Sequence, residues 1–410
     1  MNTENQNSSV PTSRDFGDPH PFYHKLRREE PVKRIDGLGG YLLTRYEDCV
    51  AVLKNTEHFT ADRLHRLIQS QFPFANESVA PLLFELYSIS MLVKDPPDHA
   101  RIRGYVNRGF TPRALEIYHE RVSGAVEELL DRAEETGCAE KPFDMQRDFA
   151  SVLPSLIISE IMGAPPSDRE QIQSWGADIS LNGSTRGGRE LLAHSESSMR
   201  EFVAYVEDLI AERKNSPRED MISYMIAGAQ SGRINDREMT HQVIQLIVGG
   251  QMTTLDMIGC GIQAFLENPE QIARLRENPD WIDGAAEEVL RFTSPSQMAH
   301  RLVKKEIEIG GVLLRPGDLV FTVIAAANRD PAVFPEPDRF DITRENAKKN
   351  IAFGAGAHYC IGGNLARLEG RLAFQKLFAR FPGLRAAGPP VWRRDGLYFR
   401  GLDSLPVVWD

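Results

Sequence analysis

Four cysteines stand far apart in this 410-residue chain, Cys49, Cys138, Cys260 and Cys360, and only the last has neighbours suited to chemistry. The segment Phe353–Gly363 reads FGAGAHYCIGG, and the amphipathic run NLARLEGRLAFQKLFARF follows at once. Four roles compete for such a cysteine. Lone cysteines are commonly small buried hydrophobes. A dinucleotide loop needs glycine at the third position of GxGxxG, where Tyr359 stands. A thiol nucleophile needs a base, and His358, two residues away, has neither triad spacing nor a family signature beside it. The fourth role is a thiolate ligand to haem iron with the opposite coordination position open. Physical chemistry favours this last role. A helix beginning just after Cys360 supplies partial positive charge and N–H groups to a thiolate. Gly354, Gly356 and Gly362 permit a tight turn and a close approach to a flat macrocycle, while Phe353 can exclude water from the sulfur.

The elements that must position this loop are mostly helical. Residues 116–135 place Val122, Val126, Leu129 and Leu130 on one face, and residues 197–214 do the same with Phe202, Val206, Leu209 and Ile210. The longest helix is expected from about Asp236 to Asn268, with Asn235 and Glu238 as a capping box and Pro269 at its end. Short strand-like pieces fall at 39–46, 305–324 and 397–410. The expected fold class is mainly α with small β-sheets: a polar, disordered tail over 1–16, then a single domain over 17–410.

A net charge of −10 and a pI near 5.6 argue against a nucleic-acid binder. The N-terminal segment lacks the apolar run of a signal or anchor, and no stretch approaches about 20 apolar residues, so a soluble cytoplasmic protein without a membrane span is expected.

FGAGAHYCIG matches in full the haem-binding loop of the cytochrome P-450 family, F-G-x-G-x-H-x-C-x-G. The resemblance extends from about residue 20 to the C-terminus. EVLR (288–291) resembles the family's E-x-x-R, PDRF (337–340) its arginine-bearing segment, and DHARIR (98–103) the H-x-x-x-R of a haem-covering helix. LIVGGQMTTLDMIG (246–259) resembles the oxygen-binding segment of the long helix. The resemblance implies a cytochrome P-450 fold with haem b between that helix and the cysteine-loop helix. Cys360 would be the axial ligand, with Phe353, Gly354, Gly362 and Gly249 against the cofactor. His99, Arg103, Arg301 and His358 would hold its propionates, which need cationic or donor partners. Glu288, Arg291 and Arg339 would form a structural ion network. Gly249 and Gly250 would leave room for bound oxygen, and Thr253, with Gly250 and Thr254, would serve catalysis. A mid-helix threonine can also simply bond back to a carbonyl one turn earlier.

One departure stands out. Met252 occupies the position where the family usually has Asp or Glu, and a thioether cannot shuttle protons. Asp256, one turn on, is the substitute to test. The expected reaction is hydroxylation or another oxidation of a small organic substrate in specialised metabolism. The alternatives are oxidative coupling, cyclisation or nitration, and a non-catalytic haem sensor. Substrate contacts are expected from 60–93, 160–195, 292–300 and the tail near Tyr398. Phe84, Tyr87, Met252, Gln297, Met298 and Tyr398 are the candidates, and Phe72, Phe74, Ser180, Asn182 and Ser184 are weaker ones. With no reductase domain in the chain, electrons are expected from a ferredoxin and ferredoxin reductase. Arg101, Arg108, Arg113, Lys348, Lys349 and Arg367 could dock the donor on the cysteine side. A monomer is expected.

Overall fold

The structure, a computed structural model, describes residues 17–63, 66, 75–138, 140–180, 188–229, 232–393 and 398–410. The tail 1–16, Phe72, Phe74, Asn182 and Ser184 lie outside the described residues. Helices dominate, as their apolar periodicity requires. Those that matter for the site are α1 (Pro81–Ile89), α2 (Asp98–Val106), α3 (Pro112–Thr136), α4 (Val152–Met162), α5 (Arg189–Asn215), α6 (Asp236–Glu267), α7 (Ile282–Thr293) and α8 (Gly363–Arg380).

The 32-residue α6 carries the expected capping box between Asn235 and Glu238 and ends where Pro269 opens the next helix. It packs on α4, α5, α7 and α8. By length and composition this helix could cross a membrane, but 67% of its apolar window is buried inside the protein. Its apolarity belongs to a core helix contacted on every side.

The strands are short. A five-stranded sheet runs β1 (Val32–Ile35), β2 (Gly40–Leu43), β5 (Leu319–Thr322), β4 (Ala299–Val303), β3 (Phe59–Thr60) in spatial order. The β2–β5 pair is parallel, and β4 lies antiparallel to β5 with Arg301 opposite Val320. This register holds the 298–301 segment beside the site. The sequence-predicted strand over 305–324 resolves into a hairpin (Ile307–Ile309 with Val312–Leu314) and then β5. Gly310 and Gly311 at the hairpin turn, and Gly317 before β5, break one long apolar run into three.

Candidate active site

Cys360 sits where a glycine turn meets α8. Gly354 and Gly356 both have φ +72°, and a side chain at Gly356 would come within 2.8 Å of the Leu53 carbonyl oxygen. Only glycine accepts both demands. Gly362 has φ −84° and open space around it, so its expected need for glycine is not met by backbone geometry. The loop is closed by Cys360 N–H donating to the Phe353 carbonyl at 2.9 Å. Arg367, one turn into α8, locks it from below. Its Nη1 donates to Tyr359 Oη at 3.0 Å, its guanidinium lies 4.5 Å from the Phe353 ring, and its Nε donates to Glu287 at 2.7 Å.

The sulfur opens onto a cavity of about 360 Å³ between this loop and α6. Burial pushes the thiol above its ordinary range, while the N–H groups of Gly362 and Gly363 and the charges of Arg103 and Arg367 pull it back. A group so placed gives up its proton when a metal binds it. On the far wall, α6 presents Gln245, Leu246, Gly249, Gly250, Thr253, Thr254 and Met257. This i, i+1, i+4, i+5 stripe is one helical face. Gly250 also meets α4, where a side chain would strike Ile158 at 2.9 Å, whereas a Cβ at Gly249 would meet only Gln245 Nε2, at 3.7 Å. Thr253 lines the cavity, with its Oγ1 donating back to the Gly249 carbonyl at 3.2 Å.

One rim of the cavity gathers cations. His99, Arg103, Arg301 and His358 all line it, as do Arg63 and His300, which the sequence reading missed. The rings of His99 and His358 lie 4.1 Å apart. Arg63 Nη1 donates to the carbonyls of Ala61 and Leu92, and its Nε to His300 Nδ1 at 3.4 Å. Among the described residues Arg301 donates only to the neighbouring His300 carbonyl. Burial lowers Arg63 to about 9 and Arg301 to about 10, and both histidines of the 300 and 358 positions fall well below their usual range for the same reason. His300 Nε2 and His358 Nε2 are buried without a partner among the described residues. Buried cations and orphaned nitrogens on one rim call for an anionic group with several acceptor oxygens.

A family model for cytochrome P450 matches residues 43–384. The chain belongs to the cytochrome P450 family. It is 36% identical over 400 residues to the polyketide biosynthesis cytochrome P450 PksS of Bacillus subtilis, covering 95% of each chain. Over 408 residues it is 36% identical to nocardicin C N-oxygenase of Nocardia uniformis, covering 96% of this chain and 98% of that one. Among solved structures, P450BioI in complex with hexadec-9Z-enoic acid ligated acyl carrier protein superposes with a TM-score of 0.89 at 34% identity, covering 97% of this chain and 99% of that one. This P450 is an oxidoreductase of the monooxygenase class, and its family binds haem through a cysteine thiolate. The residues fit that cofactor: one thiol on the cavity wall, a glycine-lined gap opposite, and a rim of cations and unpartnered nitrogens for two carboxylates.

Beneath the loop of this P450 lies a buried ion network. Arg291 donates from Nε and Nη2 to Glu288 at 2.7 and 2.8 Å, and from Nη1 to the carbonyls of Asn328 and Pro337. Asn328 then accepts from Ile351 N–H at 2.7 Å, which passes the network's order to the cysteine loop. The second arginine is Arg344, not Arg339. Arg344 Nε donates to Glu288 Oε1 at 3.2 Å, while the Arg339 side chain is exposed beside Glu336 and contributes its carbonyl to Arg291 and Arg344. Glu336 precedes both arginines at φ +46°, and Arg344 folds back to donate to the carbonyls of Pro335 and Glu336.

Several substrate candidates fall outside the cavity. Among the described residues Met298 lines it, whereas Phe84 and Tyr87 pack in the core and Gln297 and Tyr398 lie behind the wall. Gln297 is buried with its Nε2 donating to the Ser294 carbonyl, and Phe399 takes the lining place beside Tyr398. Met252 stands on the flank of the α6 stripe, off the lining. Asp256 is no substitute acid: Arg393 holds it in a two-point ion pair at 2.8 and 3.0 Å, away from the cavity. Burial still lifts that carboxyl to about 6 against the pull of Arg393. The carboxylic acid that does line the cavity is Glu369 of α8. It is 2% exposed, burial raises it well above its usual range, and its Oε2 has no partner among the described residues. No sequence motif marked it, because nothing in a helix sequence says which glutamate faces inward.

The expected basic patch is mixed in charge. Arg101 is paired with Asp98 and Glu238, and Arg367 with Glu287. A surface hollow of about 570 Å³ on the α3–α8 side brings Lys348, Arg367 and Arg371 together with Glu116, Asp283 and Glu287.

Proposed function

We propose that this P450 oxidises an aliphatic, acyl- or polyketide-like substrate in specialised metabolism, inserting oxygen with electrons from a separate ferredoxin and its reductase in the cytoplasm. The observation that carries the substrate class is the lining of the cavity beyond the glycine gap: Met91, Leu92, Ile158, Leu246, Met298 and Phe399. Phe110 lines the cavity too, but most of these apolar side chains are flexible or branched, and they suit a chain better than a stack of rings. The printed names of relatives in polyketide and biotin biosynthesis support the reading.

Bound haem supplies oxygen activation, with a thiolate ligand favouring O–O cleavage. This chain's residues do the rest. Cys360 provides the ligand sulfur. Arg63, Arg103, Arg301, His99, His300 and His358 would hold the cofactor's carboxylates. Gly249 keeps a side chain out of the gap, and Thr253 Oγ1 can turn from the Gly249 carbonyl to orient a hydrogen bond inside it. Glu369, whose carboxyl burial holds well above its usual range, lines the same cavity from α8 as a candidate proton donor. The apolar lining excludes water and aligns the substrate.

The reduced holoenzyme with carbon monoxide is expected to absorb at about 450 nm, the signature of the haem–thiolate pair. Turnover of long-chain acyl substrates under labelled O₂ is expected to place label in the product. A band with unlabelled coupling products overturns oxygen insertion; no band overturns the haem–thiolate assignment.

A further inference from the structure

Two glutamines one turn apart on α6 meet the same neighbouring segment, and only one of them has both ends engaged. Gln242 Oε1 accepts from Met91 N–H at 2.9 Å, and its Nε2 donates to the Ile89 carbonyl at 3.2 Å. Gln245 Oε1 accepts from Ser90 Oγ at 3.2 Å. Ser90 Oγ also accepts from Leu92 N–H at 3.2 Å, which leaves its proton for the Gln245 oxygen. With Oε1 turned to Ser90, the Gln245 NH₂ lies on the Gly249 side.

The Gln245 Nε2 has no acceptor among the described residues, and Gln245 lines the cavity. Its direction is set by Gly249 one turn on, where a side-chain Cβ would lie 3.7 Å from that nitrogen. Residues 245, 249 and 253 are spaced at i, i+4 and i+8 on one stripe, so the donor lies over Gly249, one turn before Thr253. One turn is a rise of about 5.4 Å. The surrounding wall is apolar, with Met91, Leu92, Leu246, Ile158 and Met298. A donor in such a wall gains from meeting an oxygen, and a neutral amide meets a neutral one without a charge to balance.

We propose that Gln245 Nε2 determines specificity, selecting aliphatic substrates that carry a neutral carbonyl oxygen about one helical turn from the carbon that is oxidised. The inference rests on the proposed haem monooxygenase reading and sharpens it.

Cyclododecanone and cyclododecane differ by one carbonyl and share a ring. Titrated against the haem absorbance of the holoenzyme, the ketone is expected to bind about fivefold tighter, as one net hydrogen bond provides. Gln245→Leu is expected to bring the ratio to about one while hydrocarbon affinity is kept, and Ser90→Ala, which frees the amide to turn over, to give an intermediate ratio. If Gln245→Leu loses haem, Gln245→Met carries the same comparison with a side chain closer in shape. A ketone preference that survives removal of the amide overturns the assignment, as does a wild type that prefers neither probe or binds neither. Both results come from an enzyme that shows the band near 450 nm, so they are distinct from failure of the haem–thiolate reading.

Discussion

The two walls of the cavity are built on opposite rules. On the cysteine side the loop backbone and its supports are committed: Cys360 N–H to Phe353, Arg367 to Glu287 and Tyr359, and Asn328 to both Ile351 and Arg291, with His358 Nε2 on the cofactor rim as the exception. On the α6 side capacity is left over. The Gln245 N–H groups have no acceptor among the described residues, and a Cβ at Gly249 would meet only that amide, at 3.7 Å; across from them, Glu369 of α8 adds an Oε2 without a partner among the described residues. A fixed wall holds a cofactor that is the same at every turnover. A wall with spare donors takes a ligand that comes and goes, because each unmet group is satisfied only when something binds.

The most severe way to break the fixed wall is to remove its sulfur. Cys360→Ser is expected to abolish the band near 450 nm and all oxygen insertion, while the fold, whose core lies elsewhere, still gives a cooperative unfolding transition. The carbon monoxide spectrum and product analysis check it. Retention of the band would mean that another group ligates the iron.

Next comes the frame beneath the loop. Glu288→Gln leaves Arg291 and Arg344 facing a neutral amide in a site with 0% exposure at Glu288 and Arg291. Breaking a buried pair from one side costs about 3–5 kcal/mol. Arg344→Ala should cost less, about 1–3 kcal/mol, by leaving one lobe of Glu288 short of a donor. Arg339→Ala should stay within about 0.5 kcal/mol, as for an exposed pair. Denaturant unfolding of the holoprotein ranks the three. Equal losses at 339 and 344 would contradict the placement of the second arginine.

That contrast also marks what the sequence could tell. The cysteine loop was largely legible, because its turn at Gly354 and Gly356, its following helix and its cysteine are local facts, although Gly362 proved not to need glycine. The long helix was legible from its capping box and apolar run. The identity of the second arginine was not, because it depends on which of two nearby arginines folds back toward Glu288, and both sit in plausible sequence. The far wall was least legible. Phe84 and Tyr87 looked like pocket aromatics and are core residues, while Gln245, Arg63, His300 and Glu369 carried no motif. Their roles arise from which side of an element faces the cavity, and spacing alone does not fix that for a helix contacted all round.

Glu369 offers the smallest but most specific test of the spare wall. Its carboxyl is raised well above the usual range by burial, so the folded protein holds a proton there that the unfolded chain has released above about pH 4.3. A folded-state value above the unfolded one means stability is full below the unfolded value and is lost as pH rises toward the folded one. For a single proton the slope is about 1.4 kcal/mol per pH unit. Glu369→Gln keeps the shape and the neutral state, so it should remove that slope and stabilise the holoenzyme at pH 7 relative to wild type. The cost should appear in chemistry: with Met252 and Asp256 unable to serve, loss of this proton is expected to send more of the consumed electrons to peroxide. Parallel unfolding curves at pH 5 and 8, read beside peroxide yield, separate the two effects. An unchanged slope would place the proton elsewhere, and an unchanged peroxide yield would leave Glu369 a buried structural acid with no part in the proton supply.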